Sequence, residues 1–148
     1  MSKIRVTKEF TFDMAHALWN YNGKCQHLHG HTFRLAVTAI GVPRHETAHP
    51  KDGMVLDFGE LKKIVNEEII QQYDHATLLN RHAGYGEFPN ATPLFSRLVY
   101  FDGQPSTENL VMEFAKRIQR RLPDGISLFS TKLYETPTSY AAWCAADQ

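Results

Sequence analysis

Cysteine is scarce in this chain: Cys25 and Cys144 are the only two in 148 residues. That excludes a disulfide framework. No stretch approaches the length of apolar residues needed to span a bilayer. The N-terminal run MSKIRVTKEF lacks the apolar core of a secretory signal. An excess of either charge is also missing, since 16 basic side chains balance 16 acidic ones. A formal net charge of zero gives no long-range pull toward nucleic acid or an anionic membrane. It leaves room for a local basic site that holds a small anion. Internal repeats, low-complexity runs and linkers are absent as well. These absences predict one cytoplasmic domain spanning residues 1–148, in a reducing compartment. There a cysteine beside several histidines is more often catalytic or metal-binding than structural. A net charge near zero also lowers colloidal solubility unless assembly covers part of the surface.

What is present is an ordinary globular composition, 43% hydrophobic and 22% charged, with eight histidines. Ile4, Val6, Phe10 and Phe12 alternate with polar residues and predict a first strand. Thr32–Ile40 predicts a second, with Phe33, Leu35, Val37 and Ala39 on one face. Met54–Leu56 reads as a short third. Asp57 and Glu60 have the spacing of a capping box. Leu61, Ile64, Val65, Ile69 and Tyr73 follow at helical spacing, so a helix is expected from about Gly59 to Tyr73. Ser106 or Thr107 caps a second helix whose apolar face is Leu110, Val111, Phe114, Ile118 and Leu122. Pro123-Asp-Gly125 ends it. Leu128–Glu135 is a further strand, Tyr140–Cys144 a candidate edge strand, and Arg97–Phe101 a candidate strand inside the long segment Arg81–Pro105. The order predicts an α+β fold with two helices on one face of an antiparallel sheet.

The chemistry concentrates at His29-Gly-His31. Residues two apart on a strand point to the same side, so two imidazoles converge there. Gly30 between them is expected to let the backbone bend or a ligand approach. His16, at the end of the first strand, is the best third partner if the two strands pair antiparallel. Three imidazoles with one open position form a catalytic rather than a structural zinc site, although imidazole suits several metals. Cys25 lies four residues before His29, next to Lys24, where two positive charges favour the thiolate. Asp74-His75 can tune an imidazole for proton transfer, or simply end a helix. Glu135 closes a strand, where a carboxylate can accept two bonds from a planar N–H array. Thr107 and Glu108 have a capping role as their alternative. Cys144 reads as packing.

These residues fall in segments that together resemble the 6-pyruvoyl-tetrahydropterin synthase/6-carboxytetrahydropterin synthase family. The segments are Phe10–His16 (FTFDMAH), Lys24–Phe33 (KCQHLHGHTF), Val55–Leu61 (VLDFGEL), Tyr73–Asn80 (YDHATLLN), Pro105–Leu110 (PSTENL) and Leu133–Thr136 (LYET). They occur in the family's order. The resemblance implies one Zn2+ per subunit at His16, His29 and His31. It implies Cys25 as the proton-abstracting residue, with Asp74 and His75 in its relay. Glu135 is implied to anchor the pterin and join that relay, with Thr107 and Glu108 nearby. Lys24 and His27 are candidate substrate contacts. The implied architecture is the tunnelling fold, in which subunits join their sheets into a barrel, usually as a hexamer of two stacked trimers. Active sites then lie between subunits, so Asp74 and His75 can serve a Cys25 on another chain.

The implied substrate is 7,8-dihydroneopterin triphosphate. One branch eliminates triphosphate and yields the 6-pyruvoyl product. The other also loses acetaldehyde and yields 6-carboxy-5,6,7,8-tetrahydropterin, on the route to queuosine. Three residues separate Cys25 from His29, which resembles the carboxy-forming branch. A weakly catalytic pterin- or zinc-binding paralogue is the reading from another class. It leaves the set Cys25, Asp74, His75 and Glu135 without a purpose. Departures from the family pattern are His27, where the carboxy-forming branch often has Arg, the length of Arg81–Gln104, and the tail with Trp143 and Cys144.

Overall fold

The structure is a computed structural model that describes residues 1–88 and 93–148. Two long strands dominate it. β1 (Ile4–His16) and β2 (His29–Gly41) pair antiparallel along their whole length, from Ile4 opposite Gly41 to His16 opposite His29. Residues directly opposite one another share a face, and so do residues two apart. Phe12, Met14 and His16 therefore point the same way as His29, His31 and Phe33. That is the side the helices cover.

The first helical run is α1 (Phe58–Val65), a π-helical turn (Asn66–Ile70) and the short α2 (Gln71–Tyr73). Its expected apolar residues, Leu61, Ile64, Val65, Ile69 and Tyr73, are all buried. Asp57 caps it by accepting from the Gly59 amide at 2.6 Å. Glu60 does not complete a capping box, because its carboxylate is taken by Lys51. In the wide turn, Arg117 donates to the Glu68 carbonyl at 3.2 Å, and Arg97 donates to the Gln71 carbonyl just after it. α3 (Thr107–Gln119) is capped by Ser106, whose hydroxyl accepts from the Asn109 amide. Its Leu110, Val111, Phe114 and Ile118 are buried.

The core joins these layers. Phe12 stacks on Phe33 with ring centroids 5.4 Å apart, and Phe114 meets Phe12 at 6.2 Å and Tyr73 at 5.1 Å. Each such ring contributes on the order of 1.5–3 kcal/mol by leaving water. The opposite face of β1 and β2 is polar. There Arg34 pairs with Glu9 at 3.0 Å and lies over the Tyr134 ring, and Thr7 meets Thr38 at 2.8 Å.

Two expectations for the sheet need correction. The sheet is mixed rather than antiparallel. β3 (Ala76–Asn80) runs parallel to β1, and β4 (Arg97–Phe101) runs parallel to β3. β5 (Ser127–Thr136) and β6 (Ser139–Cys144) extend the other side antiparallel, giving the order β4-β3-β1-β2-β5-β6. Met54–Leu56 is not a strand. The Arg44 amide donates to the Met54 carbonyl and the Gly53 amide to the Arg44 carbonyl, which closes a turn and leaves no ladder. The expected strands at Arg97–Phe101 and Tyr140–Cys144 form, both at sheet edges. No helix among the described residues is long and apolar enough to cross a membrane.

Candidate metal centre and its pocket

The antiparallel register places three imidazoles in one cluster. His16 and His29 are opposite partners, and Met14 faces His31. Ring centroids are 4.7 Å apart for His16 and His29, 4.9 Å for His29 and His31, and 5.4 Å for His16 and His31. His16 is 1% exposed, at the upper end of the aromatic core and 5.8 Å from the Phe33 ring centroid. Gly30 sits in regular strand, and a methyl group there would meet nothing closer than the Met14 carbonyl at 3.5 Å. The convergence therefore needs no bend at Gly30, and of the two expected uses of this glycine the bend is not the one seen; alternation of the strand suffices.

Hydrogen bonds set the direction of two rings. His16 Nδ1 lies 2.7 Å from the Pro105 carbonyl, and His29 Nδ1 lies 2.6 Å from the His27 carbonyl. A carbonyl only accepts, so each Nδ1 carries a proton and each ring turns its Nε2 toward the cluster. The Nε2 atoms of His16, His29 and His31 are all buried and without a hydrogen-bond partner among the described residues. Buried ring nitrogens that make no hydrogen bond are costly unless something meets them, and a cation shared by all three would do so. Burial, then the neighbouring His16 and His29, keeps His31 below the usual imidazole range against the pull of Glu135. That direction favours the neutral imidazole, the form that binds a metal.

Glu135, near the end of β5, completes the group: its Oε1 is 3.3 Å from His16 Nε2 and 3.1 Å from His31 Nε2. The His16 imidazole holds its carboxyl below the ordinary range, against the opposing effect of burial, and His31 adds to the effect. Ligand atoms of His16, His29, His31 and Glu135 all lie within 4.8 Å of one another. The residues present fit a metal ion of the kind that imidazole and carboxylate bind.

A cavity of about 350 Å³ opens beside this cluster. His16, Cys25, Thr107, Glu108 and Glu135 line it, with Leu18, Tyr21 and Tyr140 as its apolar and aromatic walls. The size is that of a small-molecule site. Thr107 Oγ1 is buried and has no partner among the described residues. Cys25 sits in a short 3-10 turn, Lys24–Gln26, and is partly buried. Lys24 and His27 flank it, are exposed, and do not line the cavity.

Asp74 and His75 stand elsewhere. They join Asp13 in a second, more exposed group. Asp74 Oδ1 is 3.0 Å from His75 Nδ1 and accepts from the Asp13 amide at 3.0 Å. The His75 amide donates to the Asp13 carbonyl, and Thr32 donates to the Asp13 carboxylate. These contacts hold His75 in a left-handed conformation, φ 59°, which is uncommon for any residue but glycine. His75 lines a shallow groove with Asp13, His31 and Thr32, not the cavity of Cys25. Sequence reasoning gave no role to Asp13, or to the Pro105 and His27 carbonyls. Asp13 lay inside a quoted segment; the carbonyls carry no side-chain signal to find.

Comparison with known proteins identifies the family. The family model described as 6-pyruvoyl tetrahydropterin synthase matches residues 5–145. The chain is 38% identical over 141 residues to a 6-carboxy-5,6,7,8-tetrahydropterin synthase of Haemophilus influenzae, covering 94% of this chain and 97% of that one. It is 28% identical to a 6-pyruvoyl tetrahydrobiopterin synthase of Pongo abelii, covering 94% of this chain and 90% of the relative. The solved 6-pyruvoyl tetrahydropterin synthase of Plasmodium falciparum superposes with a TM-score of 0.73 at 21% identity, over 97% of this chain and 98% of its own. The architecture is the tunnelling fold, and the chain belongs to the 6-pyruvoyl tetrahydropterin synthase family.

Proposed function

We propose that the protein is a cytoplasmic zinc lyase that converts 7,8-dihydroneopterin triphosphate to 6-carboxy-5,6,7,8-tetrahydropterin, releasing triphosphate and acetaldehyde, on the route to queuosine. The observation that carries the reading is the cluster of His16, His29, His31 and Glu135 ligand atoms within 4.8 Å of one another, beside a cavity that His16, Cys25 and Glu135 line. His16, His29 and His31 would hold the Zn2+, which supplies Lewis acidity toward the hydroxyls of the substrate side chain. Glu135, with Thr107 and Glu108 beside it, would accept the N–H groups of the pterin edge. Tyr21 and Tyr140 would flank the ring. Cys25 would take a proton from the side chain, and His75, oriented by Asp74, would return one. His75 lies outside the Cys25 cavity of one chain. That favours a homo-oligomer, a hexamer of two trimers, in which Asp74 and His75 serve a neighbouring subunit. The uncovered polar face of β1 and β2 would then line the barrel. Lys24 and His27 would sit at the entrance, toward the triphosphate.

The three-residue gap between Cys25 and His29, and the 38% identity to a carboxy-forming synthase, favour that branch over the pyruvoyl-forming one. The test is to incubate zinc-loaded protein with dihydroneopterin triphosphate and identify products by mass spectrometry. Carboxypterin with acetaldehyde is expected. A pyruvoyl product would move the protein to the other branch, and bound zinc and pterin without turnover would make it a binding paralogue. Cys25→Ala should keep its zinc while turnover drops by about 10²–10⁴-fold.

A further inference from the structure

Cys25 is carried by a loop, yet its use beside the three histidines requires a fixed position. The loop from Ala17 to Leu28 closes on itself through the Leu18 amide, which donates to the Cys25 carbonyl at 2.9 Å. The 3-10 turn adds bonds from Gln26 to Gly23 and from His27 to Lys24. None of these ties the loop to the rest of the domain. At one end the His27 carbonyl meets His29 Nδ1; at the other the attachment is made at Trp19. Its amide donates to Gln104 Oε1 at 2.9 Å, and its carbonyl accepts from Gln104 Nε2 at 2.8 Å. One side-chain amide thus satisfies both backbone groups of a residue 85 positions away. Gln104 is itself held, since its carbonyl accepts from Asn109 Nδ2 at 2.9 Å on the first turn of α3. The next residue, Pro105, supplies the carbonyl that orients His16. Two consecutive residues therefore reach both the histidine centre and the cysteine loop.

The long segment before Gln104 contributes to the same attachment. The Tyr85 ring meets the Trp19 indole edge-on, centroids 4.9 Å apart. Gly84 passes so near that a Cβ there would come within 3.2 Å of the indole. We propose that Gln104 is a positioning residue, which fixes Cys25 against the three-histidine centre by clamping the backbone of Trp19, with Tyr85 as a second support. The role in turnover rests on the synthase reading above; the clamp itself does not. Gln104 touches neither the cavity nor the imidazoles, so its effect travels through Trp19 and Leu18 to Cys25.

The test replaces Gln104 with Met, similar in length and without the amide. In the intact, metal-loaded protein, three readouts separate positioning from general damage. Bound zinc and the visible spectrum of the cobalt-substituted form should match the parent. Amide hydrogen exchange across residues 18–28 should quicken by about tenfold, because two hydrogen bonds are lost, while exchange in β2 stays at the parent rate. With dihydroneopterin triphosphate, kcat should fall about tenfold and KM change less than about threefold. Gln104→Glu keeps the acceptor for the Trp19 amide and loses the donor, so it should lie between the two. Loop exchange at the parent rate would overturn the proposal. So would quickened exchange spread equally through β2, or kcat unchanged despite a loosened loop. If the parent itself does not turn the substrate over, the synthase reading fails. Exchange and spectrum then still decide the clamp.

Discussion

Two clusters of metal-ligand chemistry lie on this sheet, and they are built differently. In the first, His16 and His29 are oriented by backbone carbonyls, and the three Nε2 atoms make no hydrogen bond among the described residues and gather with the Glu135 carboxylate. In the second, each carboxylate already accepts hydrogen bonds. Asp74 serves the Asp13 amide and His75 Nδ1, and Asp13 accepts from Thr32. Similar residue types in similar proximity thus have different capacities. Buried ring nitrogens that make no hydrogen bond ask for a cation. Satisfied, exposed groups hold an imidazole in a chosen orientation, which suits proton transfer.

The comparison breaks most decisively at the metal. His29→Ala should weaken zinc binding by about 10²–10³-fold, taking a structural-zinc affinity as spread over its ligands. Asp74→Ala should leave zinc stoichiometry at the parent value. Metal analysis of the two purified variants checks both. Equal loss in both would mean that the clusters are one site.

A change beneath the first cluster should cost stability without touching a ligand. Phe114 is fully buried against Phe12 and Tyr73, and Phe12 stacks on the Phe33 that supports His16. Phe114→Ala should lose about 3–5 kcal/mol in urea unfolding. A loss under about 1 kcal/mol would mean that the core collapses around the cavity far more readily than close packing allows.

The two clusters were not equally legible in the sequence. The three histidines were, because strand alternation and an antiparallel hairpin are local rules, and they bring His16, His29 and His31 together without further information. The helices were legible for the same reason, with Leu61 to Tyr73 and Leu110 to Ile118 at helical spacing. β3 was hidden. Ala76–Asn80 is short, and Leu78 and Leu79 are buried on both faces, so no alternation marks it. Missing β3 concealed the parallel pairing and made the sheet look antiparallel. The separation of His75 from Cys25 followed from no spacing in the chain and was implied only by the family resemblance, since pocket membership depends on how β1, β2 and β3 pack. The Gln104 clamp spans 85 residues and uses a residue with no chemical signature of its own.

Turnover should sharpen the difference further. Asp74→Ala removes the partner of His75 Nδ1 and should lower kcat by about tenfold, as expected when an imidazole loses the hydrogen bond that orients it. Zinc content remains the control. Steady-state kinetics on dihydroneopterin triphosphate reads the effect. Parent-like kcat would remove the second cluster from the reaction.

The smallest effect belongs to the helix end that borders the cavity. Ser106 caps α3 through the Asn109 amide at 3.2 Å, and the next two residues, Thr107 and Glu108, line the cavity. Ser106→Ala should cost about 1 kcal/mol of stability, the usual worth of such a cap. The three histidines lie on β1 and β2, whose ladder the cap does not enter, so zinc affinity should stay at the parent value. Thr107 and Glu108 would sit on a frayed turn instead, so KM for the pterin should rise while metal content holds. Isothermal titration of zinc and of substrate into Ser106→Ala, side by side, reads this split. A fall in both affinities together would show that the helix end and the histidine centre behave as one rigid unit.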